Sequence, residues 1–425
     1  MAAQAPEPER ALAARDDEDE EGLSPLEARQ VLERTFPKLT ARVRDRLARA
    51  WHLTLARLFP LGGSSEGNRL ELYFDGDRAF LAMLEAIEGA TTRVWLETYI
   101  FEPDALGLKV LDALARAAAR GAHVILLYDA FGSPNLGPSH TRALVEAGGR
   151  AVAFNPLFAF RRRLPLVTRD HRKILIVDEI GFAGGMNVSR EYAGTQLGNA
   201  RFRDTHARLE GPSVRHLAAV FTGSFKEATG DELRLFPAPA AREDGSFVQV
   251  LGSNARRRRR HIQRAMRQTV GRCLSRCYLT TPYFVPPKRL IHALIFAKRR
   301  GVDVRVLTAG DSDVPIVRRA SLHLAGQLLK RGVRIYELFG HTLHAKTATL
   351  DGIYASVGSF NLDLWSYRRN LEVNVTVLDP DLARDLEAQF EEDLTHAKEI
   401  DYESWKARGL FARFVDWLAY QMMRI

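Results

Sequence analysis

The stretch His344-Ala345-Lys346, followed by Asp351 and by Gly358-Ser359-Phe360-Asn361, is the strongest pattern in this sequence. It places a histidine and a lysine two positions apart, an aspartate after four more residues, and a Gly-Ser-x-Asn tail after another six. A nearly equal copy occurs 173 residues upstream, as His171-Arg172-Lys173, Asp178 and Gly184-Gly185-Met186-Asn187. A third His-x-Lys, at His396, lacks the tail and is interpreted as chance, whereas two complete strings indicate a duplicated site.

The two strings belong to a longer internal repeat. Residues 93–101 resemble residues 276–284, and residues 120–127 resemble residues 300–307, in the same order. Within each copy, strand-like and helix-like patterns alternate. This predicts an α/β fold of two fused repeats, each a mixed β-sheet flanked by helices. A pseudo-two-fold axis between the repeats would bring both strings into one shared active site.

Repeat and composition together predict six segments. They are a disordered acidic tail (1–24), a basic amphipathic helical region (25–62), a first half (63–235), a linker (236–246), a second half (247–400) and a C-terminal amphipathic segment (401–425). The apolar face of the helical region, formed by Val43, Leu47, Trp51 and Leu55, fits either packing on the main body or a membrane surface. The C-terminal segment is either a docked terminal helix or an interfacial anchor.

Composition favours an anionic partner. The 425 residues carry a formal charge of +9, which suits nucleic acid, a phosphoester substrate or an acidic membrane surface. No apolar run long enough to span a bilayer is present and no signal-peptide pattern is visible, so neither feature is expected. The two cysteines, Cys273 and Cys277, are expected to be packed thiols and not a zinc site.

Strand parity separates the residues of each string. Residues 174–177 and 347–350 have strand composition, and alternate residues of a strand share one face. The histidine and lysine of each string therefore point the same way, while Asp178 and Asp351 point the other way at the end of the strand. On this ground the aspartates are interpreted as structural supports, and Asp351-Gly352 also suits a turn.

Two His-Lys pairs facing one pocket suit substitution at phosphorus. The lysines would neutralise a bound phosphate, and Asn187, Ser359 and Asn361 would donate hydrogen bonds to its oxygens. One neutral histidine would attack to form a phosphohistidine, while the other, protonated, would give its proton to the leaving alkoxide. Both forms of imidazole are accessible near neutral pH, and the scheme requires neither a metal nor a cofactor.

The sequence resembles the phospholipase D superfamily, whose members carry two His-x-Lys-x4-Asp motifs, and within it the bacterial cardiolipin synthases. The resemblance covers about residues 68–400 and is strongest to the shorter synthases without the N-terminal transmembrane pair. Besides the two strings, it rests on residues 128–133 (Tyr-Asp-Ala-Phe-Gly-Ser), 203–206 (Arg-Asp-Thr-His), 281–286 (Thr-Pro-Tyr-Phe-Val-Pro) and 370–372 (Asn-Leu-Glu).

The resemblance implies two fused α/β halves with one active site between them. It implies a catalytic set made of the motif residues His171, Lys173, Asp178, His344, Lys346 and Asp351. It also suggests carboxylates that hold the imidazoles, for which Asp204 and Glu372 match, each following the histidine of its own half. Glu372 is accordingly expected to steady His344. His171 is expected to be the nucleophile, with His344 as acid and then base.

The function implied is cardiolipin synthesis, in which one phosphatidylglycerol transfers its phosphatidyl group to a second with release of glycerol. Alternatives are a hydrolase of the same superfamily, acting on lipid or nucleic acid, and a non-catalytic basic protein that binds membranes or nucleic acid. The basic runs Arg161–Arg163 and Arg256–Arg260, the latter expected to open a helix, suit anionic headgroups. The same arginines would also suit a nucleic-acid backbone and do not choose between the two. The resemblance implies phosphatidylglycerol and an anionic membrane as partners, and nucleic acid is not expected. A peripheral location on the cytoplasmic face of the bacterial membrane is expected, with the oligomeric state left open and a monomer compatible.

Overall fold

The structure is a computed structural model that describes residues 22–36, 40–156, 165, 167–254 and 259–424. Most of the predicted acidic tail, together with Arg161–Arg163 and Arg256–Arg258, lies outside the described residues. The chain enters the described part through helices α1 (Pro25–Thr35) and α2 (Ala41–Leu58) and a 3₁₀ turn at Phe59–Leu61. Helix α1 begins where Ser24 and Glu27 cap each other's backbone amides.

The apolar face of α2 is packed against the second half of the chain. Leu47, Trp51 and Leu55 are buried, and the Trp51 ring stacks on Tyr354 at 5.8 Å between centroids. The indole Nε1 also donates a hydrogen bond to Asp351. Of the two interpretations of this face, the structure therefore supports packing on the main body.

The first half alternates strands and helices. Its strands are β1 (Gly63–Tyr73), β2 (Arg93–Thr98), β3 (His123–Asp129), β4 (Arg150–Phe154), β5 (Ile174–Val177), β6 (Ile180–Gly184), β7 (Phe202–Arg203) and β8 (His206–Glu210). Its helices are α3 (Gly76–Glu88), α4 (Ala105–Ala119), α5 (Pro138–Glu146) and α6 (Ser213–Thr229). Asp75 and Asp104 cap α3 and α4 by accepting backbone amide hydrogens of the first turn.

The second half repeats this order. Its strands are β9 (Ser246–Asn254), β10 (Arg259–Arg260), β11 (Arg276–Thr280), β12 (Asp303–Ala309), β13 (Arg334–Leu338), β14 (Thr342–Leu343), β15 (Thr347–Leu350), β16 (Tyr354–Gly358), β17 (Leu371–Leu378) and β18 (Ala397–Glu399). Its helices are α7 (His261–Arg272), α8 (Lys288–Arg299), α9 (Pro315–Leu329), α10 (Leu364–Arg368), α11 (Pro380–Thr395), α12 (Tyr402–Lys406) and α13 (Leu410–Arg424). Where a helix was predicted to start within the arginine run, Arg259–Arg260 instead pair with β9 and α7 begins at His261.

One sheet runs through both halves, in the order β18-β13-β12-β11-β15-β16-β17-β9-β1-β8-β6-β5-β2-β3-β4. The strands β1 and β9 pair antiparallel where the two halves meet. Counted outward from them, the strands of the two halves follow the same order, and on this path only β18 has no counterpart in the first half. In each half three neighbouring strands pair in parallel, β2–β3–β4 in the first and β11–β12–β13 in the second. Antiparallel strands connect them to the middle of the sheet. The prediction of two α/β repeats related by a pseudo-two-fold axis is confirmed.

The strands near the middle of the sheet are buried on both faces. All residues of β5 and β17 are buried. The sequence of β5 is accordingly a continuous apolar run, whereas β17 alternates apolar residues with the buried polar residues Glu372, Asn374 and Thr376. One hydrophobic cluster joins the halves and includes Trp95 and Phe221 from the first with Val248 and Val375 from the second. None of the helices in the described part of the chain is both long and apolar enough to cross a bilayer.

Candidate active site

Each histidine directly precedes a central strand and is held by backbone contacts from the other half. The His171 amide donates to the Leu371 carbonyl at 3.0 Å, and the Leu371 amide donates to the Arg169 carbonyl at 2.9 Å. In the same way β14, which leads into His344, pairs in parallel with β7, and the His344 amide donates to the Arg203 carbonyl at 2.8 Å. These two crossings bring both strings to the boundary between the halves.

Because of these backbone contacts, each histidine is paired with a carboxylate from the other half. Nδ1 of His171 lies 3.1 Å from Oε2 of Glu372, and Nδ1 of His344 lies 2.6 Å from Oδ2 of Asp204. The expectation that each carboxylate supports the histidine of its own half, and that Glu372 steadies His344, is therefore wrong. Glu372 follows Leu371, which pairs beside His171, and Asp204 follows β7, which pairs beside His344.

The carboxylate of Glu372 is fully buried and held by four donors. Oε2 accepts from His171 and from the Ser359 hydroxyl, while Oε1 accepts from Ser366 at 2.7 Å and Asn370 at 3.2 Å. Burial raises the pKa of Glu372, but the neighbouring His171 and Lys173 and the Ser359 hydroxyl outweigh it, so the net pKa is lowered. An ionised Glu372 fixes the proton of His171 on Nδ1 and leaves Nε2 free to react.

Of the three side chains predicted to bind phosphate, only Asn361 has a buried polar atom without a hydrogen-bond partner among the described residues. Ser359 donates to Glu372, and Asn187 accepts from the Ile100 amide at 3.0 Å and donates to the Tyr192 hydroxyl at 2.8 Å. The amide oxygen of Asn361 is buried and has no hydrogen-bond partner among the described residues. The free atom of Asn361 is an acceptor, so it can receive a hydrogen bond from a ligand hydroxyl, whereas Asn187 and Ser359 hold other site residues in place.

The motif aspartates lie away from the histidines, in the turns that end β5 and β15. Asp178 accepts from the backbone amides of Thr91, Thr92 and Arg93 and from both threonine hydroxyls. Asp351 accepts from the backbone amides of residues 274–276, the Ser275 hydroxyl and the Trp51 indole. The implied membership of these aspartates in the catalytic set is therefore not supported, because each lies a strand length, roughly 16 Å, from its lysine. Parity indicated this supporting role.

Both lysines are buried, and their ammonium groups turn back on their own strings. Nζ of Lys173 donates to the His171 carbonyl at 2.7 Å, and Nζ of Lys346 donates to the His344 carbonyl. Burial lowers the pKa of Lys173 to about 7 and that of Lys346 to about 8, although Asp204 and Glu372 oppose the shift. A bound anion would strongly favour the protonated form of both lysines.

Burial also lowers the pKa of both histidines. That of His344 falls to about 4, because burial and Lys346 outweigh Asp204; that of His171 is lowered by burial and Lys173 against the pull of Glu372. Each histidine also feels the lysine of the other half, which shows that the four groups share one site. Without ligand, both imidazoles are neutral at neutral pH.

Two residues that the sequence did not single out complete the site. The Tyr192 hydroxyl lies 3.4 Å from Nε2 of His344, the nitrogen opposite the Asp204 contact. Arg172, the variable position of the first motif, donates to the carbonyls of Glu372 and Ser253 and to the Ser224 hydroxyl. Tyr192 could have been found from its place five residues after Asn187, but nothing in the sequence marks Arg172, because the other motif has alanine there.

Comparison with known proteins agrees with this geometry. A family profile described as "Cardiolipin synthase, PLD-like domain" matches residues 83–208 and 266–394, and each matched segment contains one string. A cardiolipin synthase of Geobacillus is 35% identical over 355 residues, covering 80% of this chain and 69% of the relative. Cardiolipin synthase 1 of Bacillus cereus is 32% identical over 380 residues, covering 87% of this chain and 75% of the relative.

Solved structures share the fold at low identity. Phosphatidylserine synthase from Haemophilus influenzae superposes with a TM-score of 0.60 at 15% identity, over 84% of this chain and 93% of that structure. Since the family profile spans more than half of the chain and relatives above 30% identity cover most of it, the chain belongs to the phospholipase D superfamily and, within it, to the cardiolipin synthase family.

Proposed function

We propose that this protein is a cardiolipin synthase that transfers a phosphatidyl group from one phosphatidylglycerol to the glycerol hydroxyl of another, releasing glycerol. The observation that carries the proposal is the pair of buried histidines, each held at Nδ1 by a carboxylate of the other half and accompanied by a buried lysine. This arrangement supports covalent transfer at phosphorus, and the family membership supports the lipid substrate.

In the first step Nε2 of His171 attacks phosphorus. Its Nδ1 lies between two acceptors, the Glu372 carboxylate and the Ser359 carbonyl at 3.2 Å, so the lone pair is on Nε2. The phosphorus–oxygen bond to glycerol breaks, and protonated His344 gives the leaving alkoxide its proton. The product is a phosphatidyl-histidine and free glycerol.

The negative charge of the substrate favours the protonated form of His344 that the first step needs, and solvent supplies the proton. Below about pH 7 both lysines are protonated in the unliganded site; with two ionised carboxylates and two neutral imidazoles, these six groups then carry no net charge. A phosphodiester adds one negative charge, which favours protonation of one imidazole. We therefore expect substrate binding to raise the pKa of His344, which burial lowers to about 4 in the free site.

In the second step His344 acts as base. It accepts the proton of the incoming glycerol hydroxyl of a second phosphatidylglycerol, whose oxygen attacks phosphorus as the bond to Nε2 of His171 breaks. Cardiolipin leaves, and His171 is neutral again. Because the substrates are membrane lipids and the chain carries a formal charge of +9, we place the enzyme peripherally on an anionic membrane, at its cytoplasmic face.

The test is to incubate the protein with phosphatidylglycerol vesicles and separate the lipid products. We expect cardiolipin and glycerol in equal amounts, and losses of several powers of ten in His171→Ala and His344→Ala. His396→Ala is the matched control, because His396 also precedes a lysine by two positions but is exposed at the end of α11. Phosphatidic acid without cardiolipin would indicate hydrolysis instead, and full activity in either motif variant would overturn the mechanism.

A further inference from the structure

The C-terminal helix α13 exposes a continuous apolar face. Leu410 is 82% exposed, Phe411 79% and Phe414 54%, far more than large apolar residues normally are. The face continues along the helix through Trp417, Leu418 and Met422. Such a contiguous patch on a folded protein marks an interaction surface.

The opposite face of α13 fixes its orientation. The Asp416 carboxylate is buried and accepts from Arg408 at 2.7 Å and from Arg319 at 3.5 Å. Tyr420 stacks on His323 of α9 at 5.0 Å between ring centroids, and Ala419 is buried. The helix is therefore docked on one side, and its apolar side faces outward because of that docking.

The contacts with α9 fix the direction in which α13 runs. Arg319 with Asp416 and His323 with Tyr420 both join residues 97 apart, so the two helices run parallel. The same offset puts Leu410 level with Asp313, just before α9 begins. Asp313 accepts from the Tyr283 hydroxyl at 2.7 Å, and its charge helps to hold up the pKa of Lys346, which burial lowers to about 8. Leu410 and Phe411 thus lie toward the end of α9 that is nearer Lys346.

The charges on this side of the molecule suit an anionic surface. Among the described side chains of α13, Arg413 is exposed, and the one carboxylate, Asp416, is buried and paired with two arginines. Arg319, which pairs with Asp416 on the docked side, is itself half exposed. A helix with aromatic and aliphatic residues on one side and cations at its border is typical of interfacial helices on anionic lipid.

We propose that α13 is a membrane-binding helix that inserts Leu410, Phe411, Phe414, Trp417, Leu418 and Met422 into the surface of an anionic bilayer. The helix thereby turns toward the lipid the end of α9 that is nearer Lys346. This role rests on the proposed function in so far as the substrate is drawn from that bilayer; the binding itself does not depend on catalysis.

The test compares two triple variants of the full chain. Phe411→Ser, Phe414→Ser and Trp417→Ser together remove the centre of the face. Leu108→Ser, Val145→Ser and Phe296→Ser form the control, since these residues are 49–56% exposed on other helices. Both are sedimented with vesicles of mixed phosphatidylglycerol and phosphatidylcholine, and with phosphatidylcholine alone. We expect the α13 variant to lose vesicle binding at least tenfold, the control to match wild type, and wild type to prefer the anionic vesicles.

Further readouts separate this inference from the proposed function. With short-chain phosphatidylglycerol present as monomers, the α13 variant should keep wild-type turnover, while its turnover on vesicles falls with its binding. His171→Ala should bind vesicles normally, so a protein that binds through α13 but makes no cardiolipin would refute only the proposed function. Unchanged vesicle binding in the folded α13 variant would overturn the inference. So would conversion of a dimer to a monomer by that variant without loss of vesicle binding, because the face would then join two copies.

Discussion

At the scale of single residues, each histidine depends on a carboxylate from the other half of the chain. Glu372 fixes the tautomer of His171, and Asp204 lies on Nδ1 of His344 at 2.6 Å. If His171 attacks and His344 only moves protons, the two carboxylates affect different parts of the reaction. Substitution of each can therefore be used to separate the two roles.

We expect Glu372→Gln and Asp204→Asn each to lower turnover on phosphatidylglycerol by about 10² to 10⁴-fold, since an amide no longer holds the productive tautomer. With a substrate whose leaving group is p-nitrophenolate, which departs without a proton, Asp204→Asn should form the phosphohistidine at nearly the wild-type rate. Glu372→Gln should remain slow. Rapid-quench detection of the covalent intermediate measures both rates.

Glu337→Gln is the control, because Glu337 is a buried carboxylate paired with Arg318 outside the site. It should change neither rate. The reverse pattern, with Asp204→Asn slow and Glu372→Gln fast on the p-nitrophenyl substrate, would exchange the assignment of nucleophile and acid.

The buried lysines predict an unusual loss of activity at mildly alkaline pH. Because the pKa of Lys173 is lowered to about 7 and that of Lys346 to about 8, both lose their protons as pH rises through this range, and phosphate binding weakens. We expect kcat/KM, which reports the free enzyme, to fall above about pH 7 to 8. In the complex the bound anion favours protonated lysines, so the decline of kcat should occur at higher pH. A kcat/KM that is flat up to about pH 9.5 on a monomeric substrate would contradict this explanation.

The sequence predicted which side chains share a face but not what each one contacts. Parity correctly placed His171 and Lys173 together and set Asp178 apart, because a short regular strand fixes direction locally. The partners of Ser359 and Asn187 were not predictable, because these contacts depend on groups brought close only by the fold. A serine or asparagine beside a histidine has the same local signature whether it binds phosphate or supports a carboxylate.

At the scale of elements, the motif aspartates hold the ends of β5 and β15 to neighbouring strands. Both have positive φ, 48° for Asp178 and 55° for Asp351, a conformation that aspartate and asparagine adopt more easily than most residues. Burial alone would raise the pKa of Asp178, but hydrogen bonds from Thr92, Thr91 and Arg93 outweigh it and hold the pKa well below its ordinary range. The carboxylate therefore stabilises the folded state.

We expect Asp178→Ala to lower the free energy of unfolding by about 2–3 kcal/mol, because several donors lose a charged acceptor. Turnover per folded molecule should stay near wild type. Asp178→Asn should cost less, since it keeps one acceptor and tolerates the positive φ. Because the folded-state pKa is depressed, the advantage of wild type over Asp178→Asn is present above about pH 4 and should shrink below it.

Thermal and denaturant unfolding at several pH values, with activity measured at low temperature, checks this prediction. Glu179→Ala in the same turn is the control, because Glu179 is exposed, and it should leave stability unchanged. A large loss of turnover in a fully folded Asp178→Ala protein would return Asp178 to the catalytic set.

At the scale of the whole molecule, the repeat allowed the architecture to be predicted, but not how the halves exchange residues. Matching segments such as 93–101 and 276–284 became β2 and β11 at equivalent places in the sheet. The exchange of Asp204 and Glu372 depends on two short parallel pairings between residues 140 or more apart, which leave no local pattern. Because each carboxylate follows the histidine of its own half in the sequence, we predicted that they pair within each half. The two pairings between the halves instead place each carboxylate beside the histidine of the other half.

Because of this exchange, neither half contains both a catalytic histidine and the carboxylate that supports it. The two halves should nevertheless remain together without a covalent link. They share the β1–β9 pairing and a hydrophobic cluster with residues from both.

We expect a protein with a protease site inserted between Glu243 and Asp244, both exposed in a turn, to keep most of its activity after complete cleavage. The two fragments should elute together from a sizing column. The uncut insertion protein is the control for the insertion itself, and cleavage of the His171→Ala version should yield an equally tight but inactive pair. Fragments that separate without denaturant, or one fragment that is active alone, would show that the halves do not form the single shared site.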